Sequence, residues 1–176
     1  LYFQVDMIKN KLFEILSALD SNEVFFGPQG FVISNTLAAL EEAQYGFGTD
    51  EAGNDLSGTN AGDWQSSWLI IARDTELGDP YFIDASQDEF PVHTAFLGES
   101  GWEVELVATS LLGFIKCMNL LHSHGEQAEA QFVPDENSIV DESTLVSLQT
   151  VLSEHADNQA FWQMFFNCYQ DWLVEE

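Results

Sequence analysis

The chain has 176 residues, of which 45% are hydrophobic and 13% aromatic, enough apolar material for one packed domain and an argument against general disorder. Four Lys and Arg stand against thirty Asp and Glu, a formal charge of −26. Such a surface repels nucleic acid and anionic membranes, so neither is expected as a partner, and it draws cationic partners in by electrostatic steering.

Nothing basic lies between Lys11 and Arg73, between Arg73 and Lys116, or after Lys116. Halophilic adaptation or plain solubility is the competing source of this charge. It accounts for the shortage of lysine but not for fourteen phenylalanines. No apolar run approaches the ~20 residues of a membrane span. Cys117 and Cys168 fall in apolar helical patterns without metal-ligand spacing, so two buried, reduced thiols in a cytoplasmic protein are expected.

In chain order, residues 1–4 (Leu-Tyr-Phe-Gln) read as the remnant of an expression tag, with residues 1–6 as tag and junction and the native chain starting near Met7. Ile8, Leu12, Ile15, Leu16 and Leu19 repeat at helical spacing and predict an amphipathic helix over 5–19. A shorter helix follows Ser34 or Asn35 as N-cap and runs to about Gln44. Residues 46–63, GFGTDEAGNDLSGTNAGD, carry glycine and acid with almost no core material and read as a long loop. SWLIIA (67–72), PYFID (80–84) and PVHTAF (91–96) are short β-rich runs whose close spacing favours antiparallel hairpins. A further strand or turn lies in LGESGWEVELVA. Helices are then expected from Thr109 or Ser110 to about His122, over 142–155 and over 158–173. The last is apolar around more than half its circumference, which predicts packing against two neighbours at once, or an aromatic face around Trp162 and Phe166 left open as an interface.

The candidates for chemistry are weak. His122 and His124 are two residues apart, so on a helix they point to opposite faces. Only a helix ending before His124 lets them converge with Glu126 on a metal. His93 sits in a strand with no partner that sequence can place, and Ser66, Ser67 and Ser110 lack a nucleophile-elbow context. Carboxylate pairs such as Asp84 with Asp88, or Asp88 with Glu89, arise by chance among thirty acids. GFGTDEAG neither follows a strand nor opens a helix, as a phosphate loop must. No enzyme activity, metal or cofactor is expected.

Residues 68–115 carry a recognisable order of motifs. A tryptophan-led strand runs into an aspartate turn (Trp68 to Asp74), followed by Gly78-Asp79-Pro80 and a strand ending Phe82-Ile83-Asp84. Next come Pro91-Val92, a glycine turn with tryptophan (Gly98 to Trp102), and a helix carrying Ser110 and Phe114. This stretch of about 50 residues resembles the SUKH superfamily, whose members include a fungal cell-wall assembly regulator and many bacterial immunity proteins. The resemblance implies an α+β fold: a mainly antiparallel sheet of about four to six strands with helices packed around it, spanning 7–125. The remaining residues, 126–176, are a C-terminal helical extension packed on the same domain. It implies no catalytic residues and a role as an immunity protein neutralising a cognate protein toxin, here a basic one such as a nuclease. A non-enzymatic scaffold module in a regulatory complex is the alternative. The residues expected to meet the partner are the acids of the long loop, Asp50, Glu51, Asp55 and Asp63, and those of the turns, Asp88, Glu89 and Glu99.

Overall fold

Apolar side chains of the central strands point to both faces of the sheet, and this decides the architecture. The computed structural model describes residues 2–125 and 133–175. The elements are α1 (Tyr2–Leu16), β1 (Glu23–Phe26), β2 (Gln29–Ile33), α2 (Leu37–Ala43), β3 (Trp68–Asp74), β4 (Pro80–Asp84), β5 (Val92–Gly98), β6 (Gly101–Ala108), α3 (Leu111–His124), α4 (Glu142–Ala156) and α5 (Ala160–Val174). The six strands form one antiparallel meander in the order β1 to β6, an α+β fold with helices around the sheet.

On one face Phe31, Ile33, Ile71, Tyr81, Ile83 and Val92 bury against the helices. Leu12 of α1, Phe114 and Met118 of α3, Leu148 of α4, and Trp162 and Phe166 of α5 belong to the same cluster. The C-terminal helices therefore share the core of the sheet. On the other face Ile70, Phe82 and Ala95 pack with Trp64, flanked by Phe47, Trp68 and Trp102. Alternation fails once, because a bulge between Ile70 and Ala72 turns both Ile71 and Ala72 toward the helices. Trp68 is half-buried, while Ile70, Phe82 and Ile83 are fully buried.

Local chemistry sets the boundaries. Ser110 Oγ accepts from the Gly113 amide at 3.0 Å to start α3, and Asp141 Oδ2 accepts from Thr144 N at 3.0 Å to start α4. Thr36, one residue past the expected Asn35, caps α2 through a 3.2 Å bond from Ala39 N. The first helix ends at Leu16, where Ala18 and Leu19 bond back three residues in a tightened turn. It begins at Tyr2, so helix continues through the tag-like residues.

The hairpin β1–β2 has no counterpart in the sequence reading. Gly27 (φ +62) and Pro28 form its two-residue loop, with glycine where a type II′ turn needs positive φ. A Cβ at Gly27 would lie 2.6 Å from Tyr169 Cε2, so the close approach of α5 also requires glycine.

The aromatic face of α5 is internal. Trp162 is fully buried, with its Nε1 donating to Val107 O at 3.3 Å, and Phe166 is buried beside it, so of the two readings of the broad apolar stripe the packed one holds and the open aromatic face does not. The helix packs against the sheet and α4 together, which uses up its broad stripe. Trp162→Ala is expected to cost ~3–5 kcal/mol in urea unfolding, with circular dichroism and fluorescence changing together. Met164→Ala, on the exposed side of α5, should stay within ~0.5 kcal/mol. A second transition that leaves the sheet folded would show that the helices are a separate unit.

Candidate partner-binding surface

The acidic segment 46–63 is anchored more firmly than its composition suggests. At its entry Gln44 acts as a substitute strand. Its Nε2 donates to Ile70 O at 2.8 Å and its Oε1 accepts from Ile70 N at 2.9 Å, where β2 has already ended beside β3. Phe47 then turns in against Trp64 and Trp102, with ring centroids 5.3 and 5.4 Å away, and the Arg73 guanidinium lies 4.9 Å over its ring. At the exit Trp64 is 3% exposed and packs 4.9 Å from Phe82. Gly62 O accepts from Trp102 N at 2.9 Å, and a Cβ on Gly62 would collide with the Ser100 carbonyl. A segment expected to bury little is instead the cover of the second sheet face.

Three of its four acids brace the loop itself. Asp50 accepts from Asn54 N and Nδ2, both at 2.8 Å, and these bonds hold its carboxyl below the ordinary value. Asp55 accepts from Ser57 Oγ at 2.6 Å and Ser57 N at 2.9 Å, with the same effect. Asp63 Oδ2 accepts from Asn60 N at 2.9 Å. Glu51 faces an open cleft between α2 and β2–β3 that also exposes Glu42 and Tyr45.

The turn acids divide between the two ends of the sheet. The turns β1–β2, β3–β4 and β5–β6 lie at one end, and the β4–β5 connection at the other. Glu99, in the β5–β6 turn beside Gly62, shares its end of the sheet with the β1–β2 and β3–β4 turns. Asp88 and Glu89 lie about 20 Å away, the length of β5. There the Asp88 carbonyl accepts from Lys11 Nζ, and Glu89 O accepts from Leu111 N at 3.0 Å. The expected residues therefore do not form one patch.

The hairpin end carries further acids that the sequence reading did not single out. Asp74 is 7% exposed because its Oδ1 accepts from the amides of Glu76, Leu77 and Gly78 at 3.0, 2.7 and 3.1 Å, closing the β3–β4 turn. Burial and the Asp74 charge raise the neighbouring Asp79. Burial chiefly, then Asp74, Asp79 and more weakly Glu105, push the Tyr81 phenol up. Among these turns Leu77 and Leu97 are 78% and 69% exposed. The one ion pair among the described residues is Lys9 with Glu41 at 3.7 Å. Arg73 is spent on Phe47 and the Ala43 carbonyl, and Lys11 on Phe90 and the Asp88 carbonyl. Among the described residues, Glu41 is the one carboxylate within ion-pair distance of a Lys or Arg.

The chemical candidates take structural places. α3 runs through His124, whose Nδ1 lies 3.1 Å from Leu120 O, so the helix does not end early; Glu126 lies outside the described residues. Among the described residues no three His, Cys, Asp or Glu stand close enough to hold a metal. Cys117 is buried, its thiol donating to Leu152 O at 3.4 Å, and burial pushes its pKa up to about 12. Cys168 is exposed, against expectation, because it falls outside the Phe165–Tyr169–Trp172 stripe of α5. Asp84 is drawn down overall, since bonds from Ser86 and Gln87 outweigh its burial. No family model matches the chain, and no curated protein or solved structure matches it either.

His93 stacks on Phe82 with centroids 5.6 Å apart, and its enclosed Nδ1 has no hydrogen-bond partner among the described residues. Burial lowers its pKa below 6.5, partly countered by Asp84. The unfolded chain then binds a proton first on acidification, so the contribution of His93 to stability is full above pH 6.5 and is lost as pH falls toward the folded value. NMR titration should place the His93 midpoint below 6.5, and His93→Gln should flatten the dependence of Tm on pH beneath that value. A midpoint above 6.5 would contradict the enclosed ring.

Proposed function

We propose that the protein is a binding protein that neutralises a basic protein toxin, in the manner of the bacterial immunity proteins of the SUKH superfamily. The observation that carries this reading is the uncompensated charge: thirty acids, four basic residues and a single internal ion pair among the described residues. Self-repulsion on this scale opposes compaction, and a cationic partner relieves it. An antiparallel sheet with helices packed around it is the architecture that the SUKH-like motifs from Trp68 to Phe114 imply. Those motifs have structural reasons, since Asp74 closes the β3–β4 turn and Ser110 caps α3.

The hairpin end is the proposed contact surface. Acids of the turns supply steering, which speeds association, while exposed Leu77 and Leu97 supply the apolar contact that slows release. The decisive experiment expresses the product of the adjoining reading frame with and without this chain. Immunity requires a toxic product, restored growth and an isolable complex. A non-toxic neighbour that still forms a stable complex would instead favour a scaffold role.

Two sets of variants separate steering from holding. Replacing Asp50, Glu51, Asp55 and Asp63 with their amides, which retain an acceptor oxygen for the loop bonds, should slow association with the toxin about tenfold at low salt, with the difference vanishing at high salt. Amides at Asp88 and Glu89, at the far end of the sheet, should have a smaller effect than an amide at Glu99. Leu77→Ala with Leu97→Ala should leave stability within ~0.5 kcal/mol and raise the dissociation rate. An unchanged on-rate for the loop variant at low salt would remove the loop from the encounter, and an unchanged off-rate for the leucine pair would remove the hairpin end from the contact.

A further inference from the structure

The sheet has two edges, β1 and β6, and the chain treats them differently. At β1 the outward backbone groups belong to Glu23 and Phe25, because Ile33 N bonds inward to Asn22 O at 2.8 Å and the pairing alternates from there. Ser21 Oγ donates to Glu23 O at 2.8 Å and accepts from Glu23 N at 3.2 Å. Gly125, at the end of α3, lies so close over the Phe25 carbonyl that a Cβ there would collide with it. The chain itself covers this edge.

The edge of β6 is closed only at its ends. Trp102 N donates outward to Gly62 O at 2.9 Å, and Leu106 O accepts outward from Asn158 Nδ2 at 2.6 Å. These two bonds fix the parity of the strand. Trp102, Val104 and Leu106 turn their backbone groups away from β5, while Glu103 and Glu105 turn theirs toward Phe96 and Thr94. Between the closures lie the Trp102 and Val104 carbonyls and the Val104 and Leu106 amides, none with a hydrogen-bond partner among the described residues. Glu103, Val104 and Glu105 are exposed, so another chain can reach this window.

The side chains around the window select what can fill it. Trp102, Val104 and Leu106 lie on the second sheet face with Ala95 and Leu97, and Val104 and Leu97 are exposed there. Glu103 and Glu105 stand on the opposite face, one on each side of Val104. Charged side chains on an edge strand ordinarily guard it against pairing. Here the guard has one sign. Against a second copy of this chain, each antiparallel register that sets Val104 opposite Trp102, Val104 or Leu106 also sets a glutamate directly opposite a glutamate, which is destabilising. A strand with a basic residue on each side of an apolar one meets Glu103 and Glu105 with the opposite charge and covers Val104 with its centre.

We propose that this window takes an extended basic–apolar–basic segment of a protein partner as an added antiparallel strand. The proposal rests on the basic-partner reading and adds which element is gripped and the form in which the partner presents itself. Antiparallel addition continues the meander and uses the outward N–H and C=O of Val104 as one closely spaced pair. The window opens from the β5–β6 turn, so a partner steered by Glu99 and held at Leu97 reaches it without leaving the hairpin end.

The probe is a short end-blocked peptide of alternating lysine and valine, added to the full chain at low salt. Amide hydrogen exchange read by NMR should slow about tenfold at Val104 and Leu106, and not at Phe25 on the covered edge. N-methylation of the peptide's valines, whose amides face β6, should abolish the protection. N-methylation of its lysines, whose amides face away, should preserve it at the same peptide charge. Glu103→Gln with Glu105→Gln should remove most of the protection, and the charge-matched Asp88→Asn with Glu89→Gln should leave it intact. Val104→Pro removes the central outward donor without touching the bonds to β5, a change that edge strands tolerate, and should abolish protection at Leu106. Should that variant not fold, the two methylated peptides decide. Absence of protection, equal protection by both methylated peptides, or equal loss in the two charge-matched variants would each overturn the proposal. Protection of Val104 that grows with chain concentration in the absence of peptide would give the window to a second copy and overturn it as well. A toxin that binds tightly while Val104 and Leu106 exchange at unchanged rates would overturn the edge and leave the basic-partner reading standing. Protection by the peptide together with failure to bind the toxin would sustain the edge and sink the immunity reading.

Discussion

The structure depends on a sheet whose central strands are apolar on both sides. Pro80, Tyr81, Phe82 and Ile83 are all buried, Tyr81 and Ile83 toward the helices and Phe82 away from them. The helices bury mainly the first face, with only Ala43 of α2 reaching the second, so the second face needs a cover drawn from elsewhere in the chain. The connection between β2 and β3 supplies it, and this is why a glycine-rich, acidic segment holds a definite shape. Gln44 fastens its entry to Ile70, Trp64 fastens its exit to Phe82, and Gly62 ties it to the start of β6.

Covering both faces consumes nearly all the large aromatic residues and leaves charge to the turns and helix ends. Asp50, Asp55 and Asp63 satisfy local amides or hydroxyls and so shape the loop, and under the proposed function their charges would also steer a partner. Glu51, beside the open cleft, has no such side-chain bond among the described residues. The edge strand β6 is handled by the same economy. Gly62 O takes the Trp102 amide at one end, and Asn158 Nδ2 donates to Leu106 O at 2.6 Å near the other, so the edge is blunted by side chains and loop rather than by another strand.

Much of this was legible in the residues. PYFID is β4 to the residue, and Ser110 and the 142–155 helix lie where their caps and periodicity put them. The hairpin β1–β2 was not, because EVFF and QGFVI are four- and five-residue apolar runs without clean alternation, and such runs are ambiguous between helix and strand. The Gly27-Pro28 pair between them was the available signal. The candidate surface was harder still. Composition identified a charged protein, but not that Asp88 and Glu89 lie at the opposite end of the sheet from Glu99. That relation depends on strand direction, a long-range fact. The loop was misjudged for a related reason: Phe47 and Trp64 sit at its two ends, and a count of core residues along it overlooks that two anchors are enough.

Salt bears on the origin of the charge because it acts on folding and on association with opposite sign. Screening relieves repulsion among thirty carboxylates and so favours the compact state, while it removes the long-range field that speeds encounter with a basic partner. A chain shaped only by a saline environment has no reason to keep its acids beside exposed apolar side chains, where a partner's contact would dehydrate them. Here Leu77 lies in the same turn as Glu76 and Asp79, and Leu97 lies two residues from Glu99. Buried aromatics supply the cohesion that lets the fold tolerate its charge with a single ion pair among the described residues, Lys9 with Glu41. Under the proposed function, the acids beside Leu77 and Leu97 are the ones that a basic partner would meet.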